Sequence, residues 1–303
     1  MSGNPLQECN TVHRRSQLAQ RALPVLLKLF ASLPLPVIHG IGRAGGRLLY
    51  ALPGGYRRHV QRNAAQAGFD APRFARQAAA ETGAMMSELP RVWFQSDACM
   101  AQVICEDWSV IDEALAERNG LIMLTPHLGC FELAARYAAQ RIPLTIMFRP
   151  HRKAVLRGLL DAVRATSNLT TVPATSQGVR SFVRALRQGD AVGLLPDQAP
   201  KGDGVWVPFF GRPAYTMTLP GKLAQQTNAA LIIAAGERLP SGRGWRMHVK
   251  RLTGPLPDGA EAQAAWINAE MEEMVRRFPQ QYLWGYNRYK VPTGAPAAPT
   301  GTA

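Results

Sequence analysis

The sequence predicts an α/β protein in which a mixed central sheet is flanked by helices and preceded by an N-terminal helical segment. After Gly120, short apolar runs typical of strands alternate with stretches of helical periodicity. Before Gly120, the chain has helical patterns that proline and glycine interrupt. Hydrophobic residues make up 47% of the 303 residues and charged residues 18%, which indicates a folded core rather than a disordered chain.

The N-terminal segment, residues 1–55, is predicted to associate with a membrane. Residues 18–52 are apolar, but Lys28, two prolines and two arginines leave no uninterrupted run near the ~20 residues that a spanning helix requires. The long polar start is also not typical of a signal peptide. A helix that lies in the membrane interface, with its basic side chains near the headgroups, fits better. A buried helical hairpin and a tilted single span are the alternatives.

Three glycines of this segment, Gly40, Gly42 and Gly45, match the GxGxxG pattern of dinucleotide-binding loops. That motif needs a strand before it, a long helix after it and an acidic residue about 20 positions further on. Pro53 ends the following helical run early, and no acidic residue occurs between Gly45 and Asp70. We therefore interpret the glycines as positions where helices pack closely.

The predicted elements continue in order along the chain. Residues 56–118 form a helical region packed on the core, with a long helix from about residue 71 to residue 94. Residues 119–292 form the α/β core. Its predicted strands are LIMLTP, PLTIMFRP, LTTVPA, DAVGLLPDQ, GVWVPFFG, AALIIAAGERL and WRMHVKRLTG. Its predicted helices are CFELAARYAAQ, residues 151–166, SQGVRSFVRALRQG, TLPGKLAQQTN and residues 261–278. Residues 293–303 are small and proline-rich, and we expect a disordered tail.

The charge balance favours an anionic partner. The formal net charge is +14 and the sequence pI is about 10.3. Nucleic acid, an acidic membrane surface and phosphorylated substrates all fit this balance, and a basic surface with no electrostatic role is the alternative. The basic residues are mostly arginines spread along the chain, which suits lipid phosphates at least as well as DNA, so we expect a membrane partner and no nucleic acid.

The four cysteines indicate a reduced, cytosol-facing protein. They are Cys9, Cys99, Cys105 and Cys130. No CxxC pair occurs, and no spacing of cysteine and histidine fits a zinc site.

The stretch TPHLGCFE carries the candidate chemistry. His127 directly follows the predicted strand LIMLTP, and Glu132 lies in the first turn of the next helix. The carboxyl ends of strands in open α/β sheets are where sites form. Residues five apart in a continuous helix do not face each other, so the pair meets only if His127 lies in the turn, which Gly129 helps to allow. Glu132 would then hold one imidazole nitrogen and leave the other free to take a proton.

Other interpretations of this stretch stay open on spacing alone. Cys130 is a candidate nucleophile if His127 activates it. A metal site of His127, Cys130 and Glu132 lacks an evident fourth ligand. The pair is also consistent with an ordinary loop histidine and a glutamate that favours the helix dipole.

Four segments in order resemble the bacterial lipid A biosynthesis acyltransferases that add secondary acyl chains, within the glycerolipid acyltransferase superfamily. They are TPHLGCFE, FRP at 148–150, LLPDQ at 194–198 with GVWVPFFGRPAYT at 204–216, and PQQYLWGYNRYKVP at 279–292. The resemblance covers nearly the whole chain. Two stretches depart from the pattern, GYNRYK and RATSNL, and they put the exact acceptor in doubt rather than the reaction.

The resemblance implies a role for each matching residue. His127 is the general base and Glu132 its orienting partner. Arg149 contacts the acyl donor or the phosphorylated acceptor, with an ion pair to Asp197 as the alternative. The remaining substrate-binding candidates are Asp197, Gln198, Arg212 and Thr216. Asp197 and Gln198 lie at the end of a predicted strand and either order the site or contact substrate, whereas Arg212 and Thr216 would form a phosphate cradle at a predicted helix start. Arg288 and Lys290 are candidates for headgroup contacts or for a solvated basic tail.

The resemblance also implies the reaction. A fatty acyl chain passes directly from acyl carrier protein, or from coenzyme A, to a hydroxyl of a lipid A precursor. We expect no acyl-enzyme, no metal and no other cofactor. The expected place is the cytoplasmic face of the bacterial inner membrane. The alternatives are another acceptor, such as a lysophospholipid or an ornithine lipid, and a catalytically silent protein that binds the membrane surface.

Overall fold

The computed structural model describes residues 22–70, 72–148 and 168–299. The helices in these ranges are α1 (Ala22–Ala31), α2 (Leu35–Ala51), α3 (Gly55–Gln66), α4 (Pro72–Phe94), α5 (Ser96–Met100), α6 (Ser109–Ala116), α7 (Phe131–Ala139), α8 (Ser176–Arg187), α9 (Leu219–Thr227) and α10 (Ala260–Arg277). The strands are β1 (Val103–Ile104), β2 (Leu121–Leu124), β3 (Leu144–Phe148), β4 (Leu169–Pro173), β5 (Ala191–Leu194), β6 (Gly204–Phe209), β7 (Arg212–Met217), β8 (Ala230–Arg238) and β9 (Trp245–Arg251). The predicted helix 151–166 and Arg149 lie outside the described residues.

Seven strands form the central sheet in the order β1-β9-β8-β2-β5-β3-β4. Neighbouring strands are parallel except for β8 and β9, which are antiparallel. The predicted class, a mixed sheet flanked by helices, is therefore confirmed. Strands β6 and β7 form a separate antiparallel hairpin.

Strand β2 explains why the centre of the sheet is apolar on both sides. Leu121 and Met123 belong to a hydrophobic cluster that includes residues of α5, α6 and α7, whereas Ile122 and Leu124 belong to a cluster with residues of α8, α9 and α10. Because side chains alternate along a strand, helices on both faces require a continuous apolar run. All four residues are buried, and the sheet is therefore the middle of three layers.

Close contact between α2 and α4 depends on glycine. A Cβ atom at Gly46 would lie 2.2 Å from the carbonyl oxygen of Ala79, and one at Gly42 would lie 2.1 Å from Oγ of Ser87. Gly40 and Gly45 face open space. The predicted role of the GxGxxG stretch in helix packing therefore applies to Gly42 and not to Gly40 or Gly45. All of them lie inside one continuous helix, which is not the strand–turn–helix unit that a dinucleotide requires.

A buried charge network joins α2, α4 and β8. Glu88 accepts hydrogen bonds from Nη1 of Arg238 at 2.6 Å and from Nε1 of Trp245 at 3.1 Å, and its Oε2 lies 2.9 Å from Nε2 of His39. Arg238 also pairs with Glu81 at 3.4 Å. Glu88, Arg238 and His39 are almost fully buried. Since a buried charge requires a partner, this network specifies where α2 lies on the core.

The outer faces of α1 and α2 are apolar. Among the described residues, eight of the eleven strongly exposed large apolar side chains fall between positions 22 and 52, and they are Val25, Leu26, Leu29, Val37, Ile41, Leu48, Leu49 and Leu52. No single helix in the described ranges is long and apolar enough to cross a bilayer. Helices α1 and α2, bent by 115° at their break, meet that test of length and composition only as a pair.

Candidate functional site

The register of two central strands brings the site together. Strands β2 and β5 are parallel neighbours, and Leu124 pairs with Leu194 at their carboxyl ends. His127 lies three residues beyond Leu124, and Asp197 lies three residues beyond Leu194. Both side chains therefore reach the same point above the carboxyl edge of the sheet, where open α/β sheets bind ligands.

Asp197 holds His127 at two points. The backbone amide of His127 donates to Oδ2 of Asp197 at 2.9 Å, and Nδ1 lies 2.8 Å from Oδ1. A carboxylate beside Nδ1 requires the proton there, so Nε2 carries the lone pair in the neutral ring. The amide nitrogen of Gln198 lies 3.1 Å from Nε2, as expected for a donor to that lone pair.

The predicted pairing of His127 with Glu132 is therefore corrected. Oε1 of Glu132 accepts a hydrogen bond from Nε1 of Trp93 at 3.3 Å and lies 3.5 Å from Nε of Arg136. The physical reason is strand register: Asp197 follows β5 at the position where His127 follows β2, whereas Glu132 lies in the first turn of α7 and pairs with Arg136 one turn further on. Asp197 was expected to order the site or to contact substrate, and the structure gives it the ordering contact.

The charge state of Asp197 follows from its surroundings. Burial alone would raise the pKa of this carboxyl, but the charge and hydrogen bonds of His127, with a smaller contribution from Arg288, lower the pKa below its usual value. Tyr282 is buried beside it, and burial together with the Asp197 carboxylate raises the pKa of the Tyr282 hydroxyl well above its ordinary value. Asp197 is thus an anion next to a neutral phenol.

The turn that carries His127 is fixed by its backbone. Gly129 has φ of +60°, and a Cβ there would lie 2.0 Å from the carbonyl oxygen of Gly236, so glycine is required for both conformation and space. The amide of Gly129 donates to Gln281 at 3.0 Å, and the amide of Leu283 donates to the carbonyl of His127 at 3.0 Å. Strand β8 and the segment after α10 therefore hold the turn from two sides.

Cys130 lies inside the protein rather than in the site. Its side chain is fully buried, and burial, with the nearby Glu88 carboxylate, raises the pKa of its thiol well above the usual value. A nucleophilic cysteine needs a lowered pKa and access to substrate. The geometry therefore does not support the cysteine nucleophile, nor a metal site that includes Cys130. Within the described ranges, no three or more His, Cys, Asp or Glu side chains are grouped to hold a metal ion.

An apolar cavity of about 180 Å³ opens beside the carboxyl edge of the sheet. Its lining includes Glu132, Phe131, Met123, Ile146, Phe148 and Leu194. The Phe131 ring also lies 5.0 Å from the imidazole of His127, between centroids. The cavity therefore starts next to His127 and continues over the ends of β2, β3 and β5.

The hairpin residues do not form the predicted phosphate cradle. Thr216 is 1% exposed, and its hydroxyl accepts hydrogen bonds from Arg288 at 2.7 Å and from Asn268 at 3.2 Å. It lies within β7, because the stretch that reads as a turn before a helix is a strand. Arg212 begins that strand and stacks 4.8 Å from the ring of Tyr289, and its contact with substrate stays a prediction.

Arg288 is also buried, which the sequence did not predict. It was assigned to a headgroup contact or a solvated tail, but it is 3% exposed and donates to the Tyr215 carbonyl at 2.7 Å. Burial lowers the pKa of its guanidinium from its usual value. Its role is to attach the closing segment to β7 near Asp197.

Known proteins resemble this chain over most of its length. The sequence model of the family described as "Bacterial lipid A biosynthesis acyltransferase" matches residues 16–291. The lipid A biosynthesis lauroyltransferase of Escherichia coli K12 is 27% identical over 98% of this chain and 99% of that protein. The palmitoleoyltransferase of the same bacterium is 26% identical over 69% of this chain and 68% of its own length. A phosphatidylinositol mannoside acyltransferase of Mycobacterium tuberculosis is 30% identical over 46% of this chain and 45% of its own.

Proposed function

The chain belongs to the bacterial lipid A biosynthesis acyltransferase family, and on that premise we propose that it transfers a fatty acyl chain from a thioester to a hydroxyl of a lipid A precursor, with His127 as general base. Its relatives are named as acyltransferases, which supports acyl transfer as the activity of this chain. The observation that carries the mechanism is the His127–Asp197 pair beside an apolar cavity.

The imidazole of His127 carries the proton of the acceptor hydroxyl through the reaction. Asp197 accepts the Nδ1 hydrogen bond, so Nε2 takes the proton of the acceptor hydroxyl as its oxygen attacks the thioester carbonyl. The tetrahedral intermediate collapses, the carbon–sulfur bond breaks, and the imidazolium returns the proton to the leaving thiolate. An ester and a free thiol result, and no acyl-enzyme forms. The reaction needs no metal and no cofactor besides the thioester donor.

The side-chain amide of Gln198 supports the proposed reaction both before and after the acceptor hydroxyl binds. In the structure its amide donates to Nε2, the nitrogen that must bind the acceptor hydroxyl. The hydroxyl therefore displaces the amide, which is then within reach of the developing oxyanion. Arg149, outside the described residues, is the second candidate donor to that oxyanion.

The donor is proposed to be an acyl carrier protein thioester, with acyl coenzyme A as the alternative. Carrier proteins are acidic, and the net charge of +14 favours their approach. The cavity beside Phe131 accepts the start of the acyl chain, because its lining is mostly apolar and it opens next to the base.

The proposed place of action is the cytoplasmic face of the bacterial inner membrane. The exposed apolar side chains of α1 and α2 support it, since they form a concentrated apolar surface next to Lys28 and two arginines. The basic side chains suit the phosphates of anionic lipids.

Two variants test the proposed chemistry. His127→Ala removes the base and leaves the fold, so we expect transfer from acyl carrier protein to a lipid A precursor to fall by about 10²–10⁴. Cys130→Ser is the matched control, because that side chain is buried away from the reaction, and most activity should remain. Radiolabelled acyl transfer gives the rate, and circular dichroism verifies folding. Full activity in the His127 variant would exclude it as the base.

A different membrane lipid is the second candidate acceptor. The 30% identity to a phosphatidylinositol mannoside acyltransferase favours it, because that relative acts on another lipid. Mass spectrometry of the lipid A and phospholipids of a deletion strain separates the two, since only the true acceptor appears with one acyl chain fewer. A protein that turns over no thioester at all would be a silent surface-binding protein instead.

A further inference from the structure

A groove of about 440 Å³ lies next to the catalytic residues on the side of Gln198. Two segments line it, Ala199–Lys201 and Lys290–Thr293. Ala199 directly follows Gln198, and its backbone amide donates to the hydroxyl of Tyr286 at 3.1 Å. That bond ties the two walls of the groove together at the end nearest the imidazole.

The groove contains two lysines which, like Lys28 and unlike Lys222 and Lys250, form no ion pair among the described residues. Lys250 is paired with Glu270 and Glu273, and Lys222 pairs with Asp203 at 3.8 Å. Lys201 and Lys290 are exposed in the groove, and within residues 22–70, 72–148 and 168–299 neither has a carboxylate within 4.0 Å.

The position of the second lysine is restricted by an aromatic contact. Nζ of Lys290 lies 5.0 Å from the centroid of the Tyr286 ring. The hydroxyl of the same tyrosine accepts the hydrogen bond from the Ala199 amide. Each lysine-bearing segment also contains a proline, Pro200 next to Lys201 and Pro292 two residues after Lys290, and these prolines limit the backbone of each wall. The groove thus holds two ammonium groups on short segments, and neither group has a carboxylate partner in the part of the chain that the structure describes.

We infer that this groove binds a phosphate group of a substrate, held between Lys201 and Lys290. A phosphate carries the charge and the acceptor oxygens that two free ammonium groups require. Two residues of chain span at most about 7 Å, so the groove starts within that distance of Asp197. A phosphate there would belong to the molecule whose other end reacts at His127.

The inference rests on the proposed function, and it leaves two sources for the phosphate. One is a phosphate of the lipid acceptor, and the other is the phosphodiester of the donor's pantetheine arm. The test is a double variant, Lys201→Gln with Lys290→Gln, compared with Lys222→Gln and Arg187→Gln together. The control removes the same charge from exposed residues of α9 and α8 outside the groove.

Four substrates distinguish the sources. The acceptor is used as purified phosphorylated precursor and after phosphatase treatment, and the donor as acyl coenzyme A and as the acyl N-acetylcysteamine thioester, which has no phosphate. We expect the groove variant to raise one KM about tenfold, a change typical of losing two charged contacts. A rise only with the phosphorylated acceptor identifies the acceptor phosphate. A rise only with acyl coenzyme A identifies the donor phosphate.

Three results would overturn the inference. In the first, the groove variant and the unmodified protein have equal KM values with all four substrates. In the second, the control double variant shows the same rise in KM as the groove variant. In the third, the rise in KM persists with the substrates that lack phosphate. Failure of the proposed function is a separate result, since the unmodified protein would then turn over none of these substrates.

Discussion

Asp197 binds His127 through both the backbone amide and Nδ1, so one carboxylate fixes the position and the tautomer of the ring. The carboxylate is 2% exposed, and because its pKa lies below the usual value it is an anion at neutral pH. A buried anion that makes two hydrogen bonds to one residue restricts that residue more strongly than a single surface contact. Asp197 is therefore the positioning residue of the pair.

Replacing Asp197 by Asn tests this role. The amide would donate to Nδ1 and move the imidazole proton to Nε2, where it blocks the base. We expect kcat to fall by about 10²–10⁴ with KM little changed, because the wrong imidazole tautomer impairs proton transfer and leaves substrate binding intact. Steady-state kinetics of the folded variant measures it.

The parallel variant Glu132→Gln decides between the two acids. Glu132 contacts Trp93 and Arg136, so its loss should alter the cavity wall and leave the tautomer of His127 intact. A larger loss of kcat in Glu132→Gln than in Asp197→Asn would return the orienting role to Glu132.

At the scale of single residues, one half of the His127–Asp197 pair is predictable from the sequence and the other half is not. His127 could be placed because a strand pattern ends directly before it. Asp197 lies 70 positions away, and periodicity does not tell which strands are neighbours, so its contact with His127 could not be predicted. The pairing of β2 with β5 was the missing information. Thr216 and Arg288 were misplaced because polarity indicated exposure, whereas each satisfies the other in the interior.

Helix α2 is joined to α4 through glycine contacts and through Glu88. The glycine contacts give two opposite expectations. Gly46→Ala places a Cβ 2.2 Å from the Ala79 carbonyl oxygen, so the helices must separate and the free energy of unfolding should fall by about 1–3 kcal/mol.

The neighbouring change Gly45→Ala is the matched control. Nothing lies within 4 Å of its Cβ, and alanine is the better helix former, so stability should rise by about 0.5–1 kcal/mol. Urea unfolding followed by circular dichroism measures both changes. Equal effects of the two substitutions would contradict the proposed close packing.

Glu88 gives the α2–α4–β8 junction a pH dependence. Burial alone would raise its pKa, but Arg238 and His39 outweigh burial, and the pKa lies below its usual value. The unfolded value is about 4.3, so the stabilising contribution is complete at neutral pH and is lost as the pH falls through the lower folded value.

The variant Glu88→Gln should therefore be destabilised by about 3–5 kcal/mol near neutral pH, because Arg238 keeps a buried charge with one partner fewer. The difference from the unmodified protein should shrink below a pH of about 4. Urea unfolding across this range measures it. The exposed acid Glu113, changed to Gln, serves as control. A difference that is constant with pH would contradict the assigned pKa direction.

Element prediction succeeded where the pattern was simple. The helix predicted at about 71–94 is α4, and the apolar runs of the core became β2, β3, β5, β8 and β9. Strand β7 was missed because Gly211 and Pro213 read as a turn, although a hairpin strand with few neighbours tolerates proline. Strand β1 has two residues, too few for any periodicity.

At the scale of the whole molecule, apolar and basic groups are unevenly distributed. The exposed apolar residues are concentrated on α1 and α2, while the net charge is +14. Together they predict binding to anionic bilayers that combines insertion with attraction to headgroups. Ile41→Ser, Leu48→Ser and Leu52→Ser together should weaken binding to phosphatidylglycerol vesicles on the order of a hundredfold, measured by co-sedimentation.

The control for that experiment changes Ile104 to Ser, since it is an exposed apolar residue outside both the N-terminal helices and the groove. Binding by this control should equal that of the unmodified protein. Salt should weaken binding of both proteins, because the headgroup contribution is electrostatic. Unchanged vesicle binding by the triple variant would place the membrane contact elsewhere.

The register of β2 and β5 also bears on how such a protein can diversify. Each strand ends three residues before one member of the His127–Asp197 pair, and no other strand lies between them. Strands β3 and β4 lie outside this pair, at the edge of the sheet. On the proposed mechanism, mutations that reshape that edge would change which molecules are accepted and leave the His127–Asp197 pair intact. The fold would then separate reactivity from selectivity, so that descendants could acquire new substrates with the same chemistry.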